Sequence, residues 1–141
     1  MRKKILSFIF RKEKFLALRN NPHPEHGGDF WFVVAGSVEK GESNENAVKR
    51  EIKEEINLNT EKVIDLNQSS TYEWNGEQCE EENFLSFVQQ GEIFLNEENV
   101  EYRWLDLEDF VNLIRWDGDK SLLKEILNKA LKEEKVFREP R

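Results

Sequence analysis

The chain has 141 residues, the scale of one compact domain with its own hydrophobic core, so a single domain over 1–141 is expected. Its 21 basic and 29 acidic residues leave a formal charge of −8, which opposes any general attraction to nucleic acid polymers or anionic membranes. A small anionic substrate that arrives with its own divalent cation remains compatible, whereas the lone Cys79 excludes an intrachain disulfide and a Cys-rich zinc site and points to a reducing, cytoplasmic setting.

The opening "MRKKILSFIFRKEKF" places basic residues before an apolar run, as a secretory leader does. The run at 5–10 is too short for that, and a charged cluster follows it at once, so a first β-strand is expected. Apolar runs at 4–10 and 14–19, separated by Arg11-Lys12-Glu13, predict a hairpin. The stretch "NNPHPEHGGD" at 20–29 holds two prolines and a Gly pair and predicts an exposed loop. Its His23 and His26 form an H-x-x-H, but a loop lacks the fixed spacing of a helical metal pair. Contact of His26 with substrate at the mouth of a site is the better reading. "FWFVVAG" at 30–36 predicts a buried strand, with Trp31 either packed in the core or stacked on a ligand ring.

A Gly-punctuated loop at 36–42 leads to a helix at 43–56, with Ser43 as N-cap and Glu45 favourable to the helix dipole. Strands are expected at 62–67, 69–75, 83–89 and 101–107, and helices at 107–114 and 119–134. The order predicts an α/β fold, a mixed sheet between helices, with no repeat and no apolar stretch long enough to span a bilayer.

In the helix at 43–56, Glu51, Glu54 and Glu55 fall within a stripe roughly 100° wide. Val48, Ile52 and Ile56 form an apolar stripe beside it, so the carboxylates border the packed edge instead of lying opposite it. Like charges at these spacings cost about 0.2–0.5 kcal/mol per pair, which Lys49, Arg50 and Lys53 partly offset. The helix alone therefore leaves two readings open, a solvated face and a metal site.

The preceding loop adds the missing context. Gly36, Glu42, Arg50, Glu51, Ile52, Glu54, Glu55 and Leu58 stand at the spacings of the Nudix box, G-x5-E-x7-R-E-U-x-E-E-x-G-U, where U is aliphatic. Asn57 replaces the last glycine, and it is the next-best residue for a left-handed helix end. Val34-Ala35 stands where the family commonly has Pro-Gly. The chain resembles the Nudix hydrolases, with its box at 36–58. The resemblance implies a Nudix-type α/β/α sandwich, and Mg²⁺ (Mn²⁺ as a substitute) held by Glu51, Glu54, Glu55 and the Ala35 carbonyl. It gives Gly36, Glu42 and Arg50 an orienting role. The general base stays open between Glu51 or Glu54 and a later acid, Glu82 before the strand "NFLSFV", or Glu97 and Glu98 in the next loop. Composition alone reads Glu80, Glu81 and Glu82 as a polar hairpin turn. Tyr72 and Trp74, flanking "YEWNGEQ", either pack or stack on a base.

A finer resemblance lies in "DFWFVVAGSVEKGES", which is similar to dihydroneopterin triphosphate pyrophosphohydrolases that also cleave dATP. It implies hydrolysis of a nucleoside or pterin triphosphate to a monophosphate and pyrophosphate, by a monomer or homodimer. Oxidised nucleotides and dinucleoside polyphosphates are alternative substrates. A non-catalytic nucleotide-binding domain is the further alternative, one expected to have lost a box glutamate.

Overall fold

The computed structural model describes residues 1–22 and 28–138, the last four by backbone alone. Strand β1 (Arg2–Arg11) is buried on both sides over residues 5–10, sending Leu6, Phe8 and Phe10 to one face of the sheet and Ile5 and Ile9 to the other. Lys12 and Glu13, both at positive φ, turn the chain into β2 (Lys14–Asn20) with Phe10 opposite Phe15. The two strands then diverge, and the segment after the loop fills the wedge between them. Strand β3 (Trp31–Phe32) pairs with β2, and β4 (Val34–Ser37) pairs with β1. The expected single strand at 30–36 is thus two, because the chain changes partner near Val33.

Helix α1 (Asn44–Ile56) follows, then β5 (Thr60–Trp74) and β6 (Glu77–Val88), joined by Asn75 and Gly76 at positive φ. The expected strands at 62–67 and 69–75 are one strand with an irregularity, a register shift between Asp65 and Ser69 and Asn67 at φ 55°. Glu80, Glu81 and Glu82 lie within β6 and not in a turn. An arm of a hairpin exposed to water carries polar residues without ceasing to be a strand. Strand β7 (Asn99–Leu105), slightly earlier than the expected 101–107, pairs antiparallel with β2, and helices α2 (Leu107–Leu113) and α3 (Lys120–Arg138) close the described chain.

Among the described residues seven strands form one mixed sheet, in which β1 and β6 run parallel. Val48, Ile52 and Ile56 of α1 pack on the face carrying Ile5, Ile9 and Phe84. Burial of such side chains contributes about 1.5–3 kcal/mol each and clamps the charged helix to the sheet. Phe110 of α2 and Leu123 and Leu127 of α3 cover the opposite face with Leu6, Phe8 and Leu85. The result is an α/β/α sandwich. Among the described residues no helix is long and apolar enough to cross a membrane.

Candidate active site

The site is built where β4 meets α1. Ser43, in extended conformation, caps the helix by accepting a hydrogen bond from the Asn46 amide at 3.1 Å. Asn57 ends it in the left-handed region at φ 62°, its N–H donating to the Lys53 carbonyl. Between the caps the three box glutamates sit in different environments. The Glu55 side chain is buried, that of Glu51 is 12 % exposed, and that of Glu54 is 54 % exposed.

Gly36 is required by this packing: a Cβ placed on it would lie 2.3 Å from the Glu51 carboxyl carbon. Its neighbour Ala35 packs toward the opposite core, as strand alternation demands. Arg50 is the hub of the loop. Its Nε and Nη2 donate to the two oxygens of Glu42 at 2.8 and 2.9 Å, Nη2 also donates to the Ser37 carbonyl at 2.9 Å, and Nη1 donates to Glu51 at 2.9 Å. A longer contact of 3.4 Å reaches Glu54. Glu42 in turn accepts the Glu39 amide at 3.0 Å, and the Arg50 guanidinium, followed by that amide, holds its carboxyl down to about 2.

Glu55 has no such partner set. Asn99 donates Nδ2 to its Oε1 at 3.2 Å, while Oε2 is buried with no hydrogen-bond partner. Burial, then the neighbouring charges of Glu98 and Glu51, push the Glu55 carboxyl well above the usual range. Burial also raises Glu51, against the opposing pull of Arg50. Glu98 reaches this cluster because the segment before β7 folds over the end of α1, where the Asn96 amide donates to the Glu55 carbonyl at 3.3 Å.

The other candidates lie apart from this cluster. Glu82 accepts a 2.6 Å hydrogen bond from Asn44 at the start of α1, seven residues and about 10 Å of helix from Glu51. Tyr72 donates its hydroxyl to Glu81 at 3.0 Å on the face of the sheet opposite α1. Trp74 is exposed at the end of the β5–β6 hairpin with the Lys4 ammonium 4.9 Å from its ring. Trp31 lies under the Arg103 guanidinium at 4.6 Å. His23 and His26 lie outside the described residues. Among the described residues no three His, Cys, Asp or Glu side chains stand in a ready ligating arrangement, since Arg50 draws Glu54 and Glu51 to itself.

The sequence leaves Glu82, Glu97 and Glu98 open as later acids, and Glu98 is the one whose charge acts on Glu51 and Glu55. The local signal for Glu98 is the crowding of polar side chains at Asn96, Glu98 and Asn99, where a loop enters a strand.

Residues 2–126 match the family profile of the NUDIX domain. The asymmetrical bis(5'-nucleosyl)-tetraphosphatase of Caenorhabditis elegans is 28 % identical over 117 residues, 80 % of this chain and 82 % of that protein. The dihydroneopterin triphosphate diphosphatase of Haemophilus influenzae is 25 % identical over 139 residues, covering 87 % of this chain and 85 % of the relative. Among solved structures, an Ap4A hydrolase of C. elegans in a binary complex superposes with a TM-score of 0.72 at 23 % identity, over 94 % of this chain and 99 % of that one, a likeness of fold.

Proposed function

The chain belongs to the Nudix hydrolase family, enzymes acting on phosphoric anhydride bonds, and from that premise we propose that it hydrolyses a nucleoside or pterin triphosphate to the monophosphate and pyrophosphate. The observation that carries this reading is the unmet Glu55 Oε2, buried beside Glu51 and Glu98. Carboxylates that raise one another's pKa at a buried site are stabilised by a cation, and an all-oxygen donor set suits Mg²⁺, with Mn²⁺ as a substitute. Glu51, Glu54 and Glu55, with the Ala35 carbonyl, would hold it. When bound, the ion would offset charge on the diphosphate and lower the pKa of water.

The chain's own residues do the rest. Water attacks phosphorus, the bridging P–O bond breaks, and pyrophosphate leaves with the bond's electron pair. Glu98, whose charge acts on both Glu51 and Glu55, would accept the proton of that water, with Glu82, bonded to Asn44 at the start of α1, as the alternative base. The forked Arg50–Glu42 pair is a positioning device that fixes the loop against Glu51. All the box glutamates are present, which favours catalysis over a binding-only role.

Pyrophosphate and phosphate release tests this reading, measured with Mg²⁺ on dATP, dGTP, dihydroneopterin triphosphate, an oxidised dGTP and diadenosine tetraphosphate. Glu54→Gln and Glu55→Gln are expected to lower kcat about 100-fold or more, and Glu98→Gln by a similar factor. A panel with no turnover, or box variants that match the parent, would remove the hydrolase reading. The similarity to a tetraphosphatase supports the dinucleoside polyphosphate as the second reading, and turnover of diadenosine tetraphosphate alone would favour it.

A further inference from the structure

Glu55 differs from the other box glutamates in the kind of group that holds it. Its side chain is buried on the last turn of α1, and among the described residues Oε2 has no hydrogen-bond partner. Oε1 accepts a hydrogen bond from Asn99 Nδ2 at 3.2 Å. Burial, then the charges of Glu98 and Glu51, disfavour the carboxylate, and the Asn99 amide opposes them.

Asn99 stands 44 positions after Glu55 and is only 9 % exposed, so its place beneath the carboxylate has to be built by the fold. It opens β7 opposite Asn20, where the register of β2 and β7 shifts between Arg19 and Asn20. Such an irregularity re-aims side chains. Just before it, Asn96 Oδ1 accepts the Glu98 N–H at 3.0 Å, which closes an Asx turn. The Asn96 N–H donates to the Glu55 carbonyl at 3.3 Å and ties this turn to the end of α1. From the other side Asn21 donates its backbone N–H to the Glu98 carbonyl at 2.9 Å and its Nδ2 to the Glu97 carbonyl at 3.1 Å. The segment that carries Asn99 is therefore bonded both to the helix and to the chain leaving β2.

The choice of an amide matters. Arg50 shows what a cationic donor does: it meets both oxygens of Glu42 and offsets their charge. An amide donates a hydrogen bond without a charge, so it fixes Glu55 and leaves the negative charge of Glu51, Glu55 and Glu98 to be met by something else. A carboxylate at 99 would offer no donor at all.

We propose that Asn99 is a positioning residue of the cation site, its amide holding Oε1 of Glu55 so that Oε2 is the oxygen presented to Mg²⁺. The proposal rests on the hydrolase reading only for the cation that the box glutamates would hold. Hydrogen bonds to ligating carboxylates orient them, and losing one costs about 10–100-fold in metal affinity. If Asn99 served only to meet a buried acceptor, its loss would lower stability and leave metal affinity unchanged.

Mn²⁺ titration of the full chain without substrate, followed by the paramagnetic resonance signal of the free ion, separates these outcomes. Asn99→Leu removes the donor at similar volume and should weaken Mn²⁺ binding about tenfold or more. Asn99→Ala, which adds no bulk, should give the same loss. Ser86→Ala breaks a buried 2.7 Å hydrogen bond to Ser7 that involves no carboxylate, so it should lower Tm and bind Mn²⁺ like the parent. With a triphosphate that the parent hydrolyses, the Mg²⁺ concentration for half-maximal rate should rise in the Asn99 variants by the factor seen for Mn²⁺. Parent-like Mn²⁺ affinity in both Asn99 variants, or an equal loss in Ser86→Ala, overturns the proposal. A parent that binds no Mn²⁺ overturns it together with the metal site of the hydrolase reading. If the Asn99 variants lose Mn²⁺ affinity as expected while no triphosphate is hydrolysed, the hydrolase reading fails and the role of Asn99 stands.

Discussion

The two ends of the acidic network on α1 are built on opposite terms. Around Arg50, both oxygens of Glu42 are engaged and the guanidinium reaches Glu42, Glu51 and the Ser37 carbonyl within 2.9 Å. One turn further along, Glu55 keeps a buried oxygen with no partner, against the charges of Glu51 and Glu98. A completed network gains stability from its hydrogen bonds, whereas an incomplete buried one costs stability until something else binds. The contrast separates the part of the box that shapes the loop from the part open to a ligand.

The largest effect is expected from joining the two parts wrongly. Gly36→Ala places a methyl group 2.3 Å from the Glu51 carboxyl carbon, so Glu51 must leave its place and take its Arg50 contact with it. Activity should fall about 100-fold, with a stability loss of about 1–3 kcal/mol in denaturant titration. Next, Glu55→Gln should raise Tm measured without metal, because it removes a buried charge. It should also abolish the Tm increase produced by Mg²⁺ in the parent, which at 100-fold excess over Kd corresponds to about 2.7 kcal/mol. A parent whose Tm ignores Mg²⁺ would break the comparison.

On the completed side the effect is smaller and depends on pH. Glu42 is held at about 2 against an ordinary 4.5, so the folded state binds fewer protons than the unfolded state between these values. Its stabilisation is present above 4.5 and fades as pH falls toward 2. Glu42→Gln should flatten that acid limb of the stability profile and change the profile above pH 6 only by a constant offset. The smallest effect is expected at Asn57→Gly. The residue sits at φ 62° with its side chain assigned no role, so activity should persist and stability rise by less than about 1 kcal/mol.

Parts of this were legible because they are local. The four-residue repeat of Val48, Ile52 and Ile56 placed α1, and Ser43 and Asn57 marked its two ends. The misread elements share a cause. The 30–36 run carries one continuous apolar pattern, yet it serves β2 and then β1, and strand choice depends on how two distant strands splay. The polar run at 80–82 was hidden because an exposed hairpin arm lacks the apolar signal by which strands are recognised.

By itself the sequence determined the spacing of Gly36, Glu42, Arg50 and the three glutamates, and hence the family and the helix that carries them. A helix turn converts fixed intervals into a fixed stripe regardless of the rest of the chain. Only the tertiary structure decided which of those carboxylates is left unmet, that Glu98 joins them while Glu82 does not, and that Asn99 reaches Glu55. Burial and pairing depend on residues distant in the chain, and no local pattern encodes what a side chain will find there.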